Sequence, residues 1–148
     1  MAGIERRAEV VWEGTLANGS GTAAASSSGA FGPLPVTWAS RTERSEGRTS
    51  PEELVAVAHA SCYAMALSHV LAEAGSPPDR LAVSAVVGAE LGDEGLRITS
   101  SELTVTGRVP GLDASDFSRH AQDAERGCPV SNALRGNVEI RVDARLED

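Results

Sequence analysis

Two cysteines, Cys62 and Cys128, occur among the 148 residues, and they sit in different company. Cys62 lies in AHASCYAMAL, an alanine-rich stretch that reads as the middle of a helix. By residue type alone, a free cysteine there is a small buried hydrophobe. Its neighbours suggest a reagent instead. On a 3.6-residue helix its face carries Ala58 and His59 one turn before, Met65 and Ala66 one turn after, and His69 two turns after. Small side chains around a thiol leave room for a small apolar ligand. To react, the sulfur must be a thiolate, which burial opposes and a nearby cation or helix N-terminus favours. Arg41, Arg44 and Arg48 stand just upstream of the helix. One of them folded over Cys62 would lower its pKa and hold a peroxide or carbonyl oxygen. A carboxylate positions such an arginine by planar two-point pairing, and Glu52 is the candidate.

Cys128 precedes Pro129 at the start of a short helical segment, CPVSNALRG, where the helix dipole favours a thiolate. An inert N-cap-like cysteine is the alternative. Together, an embedded thiol with a basic cluster upstream and a helix-start thiol suit a peroxidatic and a resolving cysteine. Oxidation of Cys62 would give a sulfenic acid, and Cys128 could condense with it before irreversible overoxidation. A rival reading makes His59 the base of a thiol hydrolase. Side chains at i and i+3 align a thiol poorly with an imidazole nitrogen, so a satisfied core histidine is expected at His59. His69 and His120 are isolated, and no cluster has metal-ligand spacing, so neither a metal nor a bound cofactor is expected.

Elements must hold these groups in place. Arg7–Trp12 reads as a strand, 15–22 as a turn into a second, and GPLPVTWA as a third that Pro33 and Pro35 confine to an edge. SRTERSEGRTS then reads as a charged, flexible loop. SPEEL opens the main helix, with Ser50 at the N-cap, Pro51 at the first position and Glu53 completing a capping box; Glu52 is left without a structural task. The helix should run to about Ala74, where Gly75 and then Pro77 and Pro78 stop it, roughly 36 Å in all. Between Leu54 and Leu71 apolar or small residues occupy nearly every face, as in a central helix buried on several sides. Leu81–Leu91 and Leu96–Val109 form an antiparallel hairpin around GDEG. A second helix follows, capped by Asp113 or Ser115 and closed by Gly127. The chain ends in a half-buried strand carrying Val138, Ile140, Val142, Ala144 and Leu146 in alternation.

Glu52 and Cys62 lie ten positions apart on one helix, about 15 Å along its axis. If both serve one site, either Arg41 bridges the gap or Glu52 comes from another subunit. An antiparallel pair of helices about a two-fold axis would place Glu52 of one chain near Cys62 of the other.

Composition bounds the rest. The length suits a single domain over residues 1–148. Hydrophobic residues make up 41% but aromatics only 3%, so alanine and aliphatic side chains must fill a core that a partner subunit would help complete. A net charge of −8 argues against nucleic acid and anionic membranes. No leader-like or spanning run of about 18 apolar residues is expected. A soluble, cytoplasmic protein follows, in a compartment that disfavours a permanent disulfide.

The helix TSPEELVAVAHASCYAMALSHVLAEAG and the segment VPGLDASDFSRHAQDAERGCPVSNAL resemble the two cysteine motifs of the osmotically inducible protein C (OsmC) and organic hydroperoxide resistance (Ohr) family. WEGTLANGSGT and VEIRVDARL sit where that family has strands, so the likeness covers nearly the whole chain. His59 and an arginine after the third strand favour the OsmC branch. The resemblance implies an α+β, OsmC-like fold with antiparallel sheets around a long central helix, in an intertwined homodimer with active sites at the interface. It also implies a thiol peroxidase that reduces organic hydroperoxides to alcohols. Position by position, Cys62 matches the peroxidatic cysteine, Cys128 the resolving one, Arg41 the activating arginine and Glu52 its carboxylate partner; Arg44 is the alternative to Arg41. Ohr members are similar in being reduced by dihydrolipoyl groups on carrier proteins, which makes a thiol reductant on a lipoylated protein one candidate partner. The competing function is a small-ligand-binding or stress-associated protein of the same fold without peroxidase activity.

Overall fold

A computed structural model describes residues 3–147 of the chain. Two compact units divide it, Met1–Leu54 and Val55–Asp148.

In the N-terminal unit, β1 (Glu9–Glu13), β2 (Ser20–Ala24) and β3 (Leu34–Val36) form an antiparallel meander in chain order, as the turn residues predict. Trp12 pairs with Gly21, and a Cβ at Gly21 would fall 2.8 Å from Trp12 Cε3 and 3.2 Å from Val36 Cγ2. The missing side chain is therefore what lets the indole lie across β2. Val10 and Val11, on opposite faces of β1, are 62% and 60% exposed, so this strand buries neither face within the chain.

The flexible loop expected after β3 is in part a helix, α1 (Trp38–Thr42). Thr37 caps it: its Oγ1 accepts from the Ser40 amide at 3.1 Å, while Ser40 Oγ accepts from the Thr37 amide at 3.0 Å. Five residues are too few to leave a hydrophobic period in the sequence. Ser40 Oγ also donates to the Thr49 carbonyl at 2.8 Å, closing the charged loop at its base. The main helix, α2 (Pro51–Glu73), starts where expected, and Ser50 Oγ accepts from the Glu53 amide at 3.1 Å. The reciprocal half of that capping box is not made, because the Glu53 carboxylate accepts instead from Thr49 Oγ1 at 2.8 Å.

Most of α2, from Val55 on, belongs to the C-terminal unit with β4 (Arg80–Gly92), β5 (Gly95–Arg108), α3 (Ala114–Gly127), α4 (Pro129–Leu134) and β6 (Glu139–Leu146). β4 and β5 are antiparallel, but β6 runs parallel to β5, because the chain crosses back through α3 and α4 before re-entering the sheet. Ile140, Val142, Ala144 and Leu146 of β6 pack on the core, following the predicted alternation. Tyr63, Leu67 and Leu71, four residues apart on α2, meet Leu103 and Val105 of β5 and Phe117 of α3. Tyr63 also donates its hydroxyl to the Ala121 carbonyl at 2.9 Å. The end of α2 is as predicted: Gly75 has φ +83°, and Ser76 N–H donates to the Leu71 carbonyl at 2.9 Å.

Two expectations for α2 need correction. Only its His59–Tyr63–Leu67–Leu71 stripe is fully buried, whereas Val57 and Met65 are 61% and 68% exposed. The helix is also long and apolar enough to cross a membrane by length and composition, contrary to the expectation that no run approaches a span. A core helix of a globular fold has the same composition, and the buried stripe on β5 and α3 is that of a core helix.

Candidate active site

Arg41, in the last turn of α1, reaches Glu52 in the first turn of α2 within the N-terminal unit. Arg41 Nε donates to Glu52 Oε1 and Oε2 at 3.2 and 3.3 Å, and its terminal nitrogen Nη2 donates to Oε1 at 2.7 Å. The guanidinium lies 5.6 Å from the centroid of the Trp38 ring, one turn earlier on α1. Glu52 is 9% exposed. Burial pushes its pKa upward, but the Arg41 hydrogen bonds, its own backbone N–H and the Arg41 charge outweigh that and hold it below the ordinary carboxylate value. The carboxylate paired with Arg41 therefore belongs to the same chain. Arg44 is exposed and makes no hydrogen bond or ion pair among the described residues.

The cysteines meet in the C-terminal unit. Cys62 is half-buried against the core cluster, Cys128 is wholly buried within it, and both are reduced. Cys128 closes α3 and opens α4, with Pro129 next, as its neighbours predict. Burial pushes the Cys62 thiol up; the backbone N–H of Val130 opposes this, and hydrogen bonding and charge at Cys128 raise it further. The start of α4 thus acts on Cys62 through Val130, where the sequence points to an effect on Cys128. A backbone amide carries no residue signature, so this group was invisible in the sequence. The small-residue stripe around Cys62 is half open: Ala66 packs on the core, while Ala58, Met65 and His69 are exposed.

His59 is the satisfied core histidine expected. It is fully buried, with Nδ1 at 2.6 Å from Ser101 Oγ on β5 and Nε2 at 2.8 Å from Ser131 Oγ on α4. With both ring nitrogens engaged, it has none to offer Cys62 as a base, and the hydrolase reading falls. Burial lowers its pKa, against the raising effect of the Glu125 charge. Neither serine announces itself in the sequence, since the bonds span 42 and 72 residues. Among the described residues no group of three or more His, Cys, Asp or Glu is placed to hold a metal ion.

An α+β fold on one long helix, with two thiols side by side at the start of a second, defines a class, the OsmC/Ohr fold. The structure is similar to that of an organic hydroperoxide resistance protein OsmC from Legionella pneumophila, with TM-score 0.76, 23% identity and coverage of 98% of this chain and 99% of that one. It is also similar to OhrB of Bacillus subtilis, with TM-score 0.71, 26% identity and coverage of 94% and 98%. In sequence, the chain is 40% identical over 144 residues to Peroxiredoxin OsmC of Escherichia coli (strain K12), covering 97% of this chain and 98% of that one. The family described as OsmC-like protein matches residues 44–143, and the chain belongs to it.

Proposed function

We propose that this protein is a cysteine-based peroxidase that reduces organic hydroperoxides to alcohols, with Cys62 as the peroxidatic and Cys128 as the resolving residue. The observation that carries the reading is the pairing of a half-buried thiol, packed against the core, with a wholly buried one as its neighbour in that core. The names of its relatives, a peroxiredoxin and organic hydroperoxide resistance proteins, support the same chemistry.

In this mechanism the Cys62 thiolate attacks the distal oxygen of the hydroperoxide. The O–O bond breaks, the alkoxide leaves and takes a proton as the alcohol, and the sulfur is left as a sulfenic acid. Cys128 then attacks that sulfur, water leaves, and a Cys62–Cys128 disulfide forms. An external dithiol, of the kind a lipoylated protein carries, reopens the bond and is itself oxidised. Neither a metal nor an organic cofactor is called for. Arg41, oriented by Glu52, holds the peroxide and the developing charge.

The reading extends to a cytoplasmic homodimer in which residues 1–148 act as one peroxidase domain. Antiparallel pairing of α2 about a two-fold axis would bring the Arg41–Glu52 pair of one chain toward Cys62 of the other. Exposed Val57 and Met65 on α2, and Val10 and Val11 on β1, are the apolar surface such a dimer would cover. Sedimentation at micromolar concentration should give a dimer; a monomer would exclude the shared site.

Turnover tests the whole. With dihydrolipoamide as reductant, an alkyl hydroperoxide should be consumed at least about tenfold faster than hydrogen peroxide, since burying a few methylenes is worth that much. Equal rates would remove the apolar pocket from the reading, and consumption of neither peroxide would remove the peroxidase.

A further inference from the structure

We propose that His59 is a positioning residue: through Ser131 it holds α4 against α2, and so keeps the Val130 amide and the Cys128 thiol on Cys62. The inference rests on the peroxidase reading for its functional meaning, but its geometry stands in the C-terminal unit alone.

His59 lies three residues before Cys62 on the same helix, so the helix itself fixes the ring relative to the sulfur. Nε2 meets Ser131, which follows Val130 directly and Cys128 by three residues, within the first turn of α4. This is the one side-chain hydrogen bond between nitrogen and oxygen that joins α4 to α2 among the described residues. The other polar ties at this end of the chain lead back to α3: the Cys128 amide donates to the Glu125 carbonyl at 3.3 Å, and Arg135 just beyond α4 pairs with the Glu125 carboxylate. Without His59, α4 would be polar-tethered only to the helix before it. The first turn of α4, with Val130 and Cys128, would then lose its tie to the helix that carries Cys62.

The second nitrogen has a separate task. Nδ1 meets Ser101 on β5, which pins the ring plane from the sheet side. A neutral imidazole donates from one nitrogen and accepts at the other, and a serine hydroxyl can do either, so both contacts are satisfied together. Burial favours that neutral form. A histidine that only filled space would need no such arrangement, in which the two partners come from different elements and one of them carries the cysteine junction.

The two arms can be cut separately. In a Cys128→Ser background, where one thiol titrates, Ser131→Ala should raise the Cys62 pKa, read from thiolate absorbance, by about half to one unit, the worth of one misaligned hydrogen bond. In the chain with both cysteines, Ser131→Ala should slow disulfide closure after one equivalent of alkyl hydroperoxide about tenfold. Ser101→Ala removes a hydroxyl of equal burial and should lower the melting temperature by a similar amount while moving neither readout by more than about twofold. His59→Gln, whose amide can replace Nε2, should restore most of the closure rate lost in His59→Ala. The proposal is overturned if Ser131→Ala leaves the pKa and closure rate at wild-type values whatever its melting temperature. Equal effects from the two serines overturn it as well. If the wild-type chain forms no disulfide with hydroperoxide, the peroxidase reading fails, and the thiol pKa comparison still decides the role of His59.

Discussion

One equivalent of an alkyl hydroperoxide should lower the mass of the reduced protein by two hydrogens and leave the peptides of Cys62 and Cys128 linked. The asymmetry in burial orders the steps. Cys62 is half-buried and is the thiol a peroxide can reach, while Cys128 is wholly buried and can meet only a sulfur already beside it. Cys62→Ser should therefore abolish the reaction outright, because the remaining thiol has no access to peroxide. Cys128→Ser should still react but cannot close the bond, so its mass should rise by successive oxygens as Cys62 passes from sulfenic to sulfinic acid. Intact-protein mass spectrometry reads all three outcomes. An unchanged wild-type mass would leave the ligand-binding or stress-associated alternative for this fold.

Arg41→Ala should cost about a hundredfold in kcat/KM for an alkyl hydroperoxide, the usual worth of a group that stabilises developing charge. The physical need is visible at Cys62. Even an unperturbed cysteine, with a pKa of about 8.5, is only a few per cent thiolate at pH 7. Burial and Cys128 push Cys62 further up, and the Val130 amide only partly offsets them. The proposed mechanism calls for a cation, and Arg41 is held by a buried carboxylate in two-point geometry. Activity should rise with pH as Cys62 deprotonates, and Arg41→Ala should move that limb to higher pH. Glu52→Gln keeps an acceptor but loses the charge, so it should cost about tenfold. Because the Glu52 pKa is depressed in the folded chain, its ion pair is complete above the ordinary carboxylate value. It is lost as the pH falls through the lower, folded value, and stability should fall there in the wild type but not in Glu52→Gln. Arg44→Ala should match the wild type; a loss there with Arg41→Ala intact would transfer the role.

Residue patterns foretold most elements because their signals are local. Ser50–Pro51 opens α2, Gly75 ends it, Asp113 caps α3, and the alternation from Val138 marks β6. What stayed hidden was made by contacts across the chain. α1 is too short for a period, although Thr37 and Ser40 have the spacing of a cap. The second capping-box bond at Ser50 was lost to competition from Thr49, which sequence spacing alone does not weigh. The parallel placement of β6 follows from the crossover and not from its own residues. Of the candidate residues, the Arg41–Glu52 pair and the two cysteines were legible by type and motif. Val130, Ser101 and Ser131 were not, because one acts through its backbone and the others are ordinary serines until the fold brings His59 to them.

Cys128 is the single residue between two helices, C-cap of α3 and N-cap of α4, yet its side chain makes no capping hydrogen bond to α4. A serine or aspartate at such a position stabilises a helix by about 1 kcal/mol relative to a residue that does not cap. The junction therefore forgoes the stability that a capping oxygen in place of sulfur supplies at a helix start. Apart from its packing in the core, the sulfur has no capping duty: it can turn toward a new covalent partner without first giving up a hydrogen bond at the start of α4.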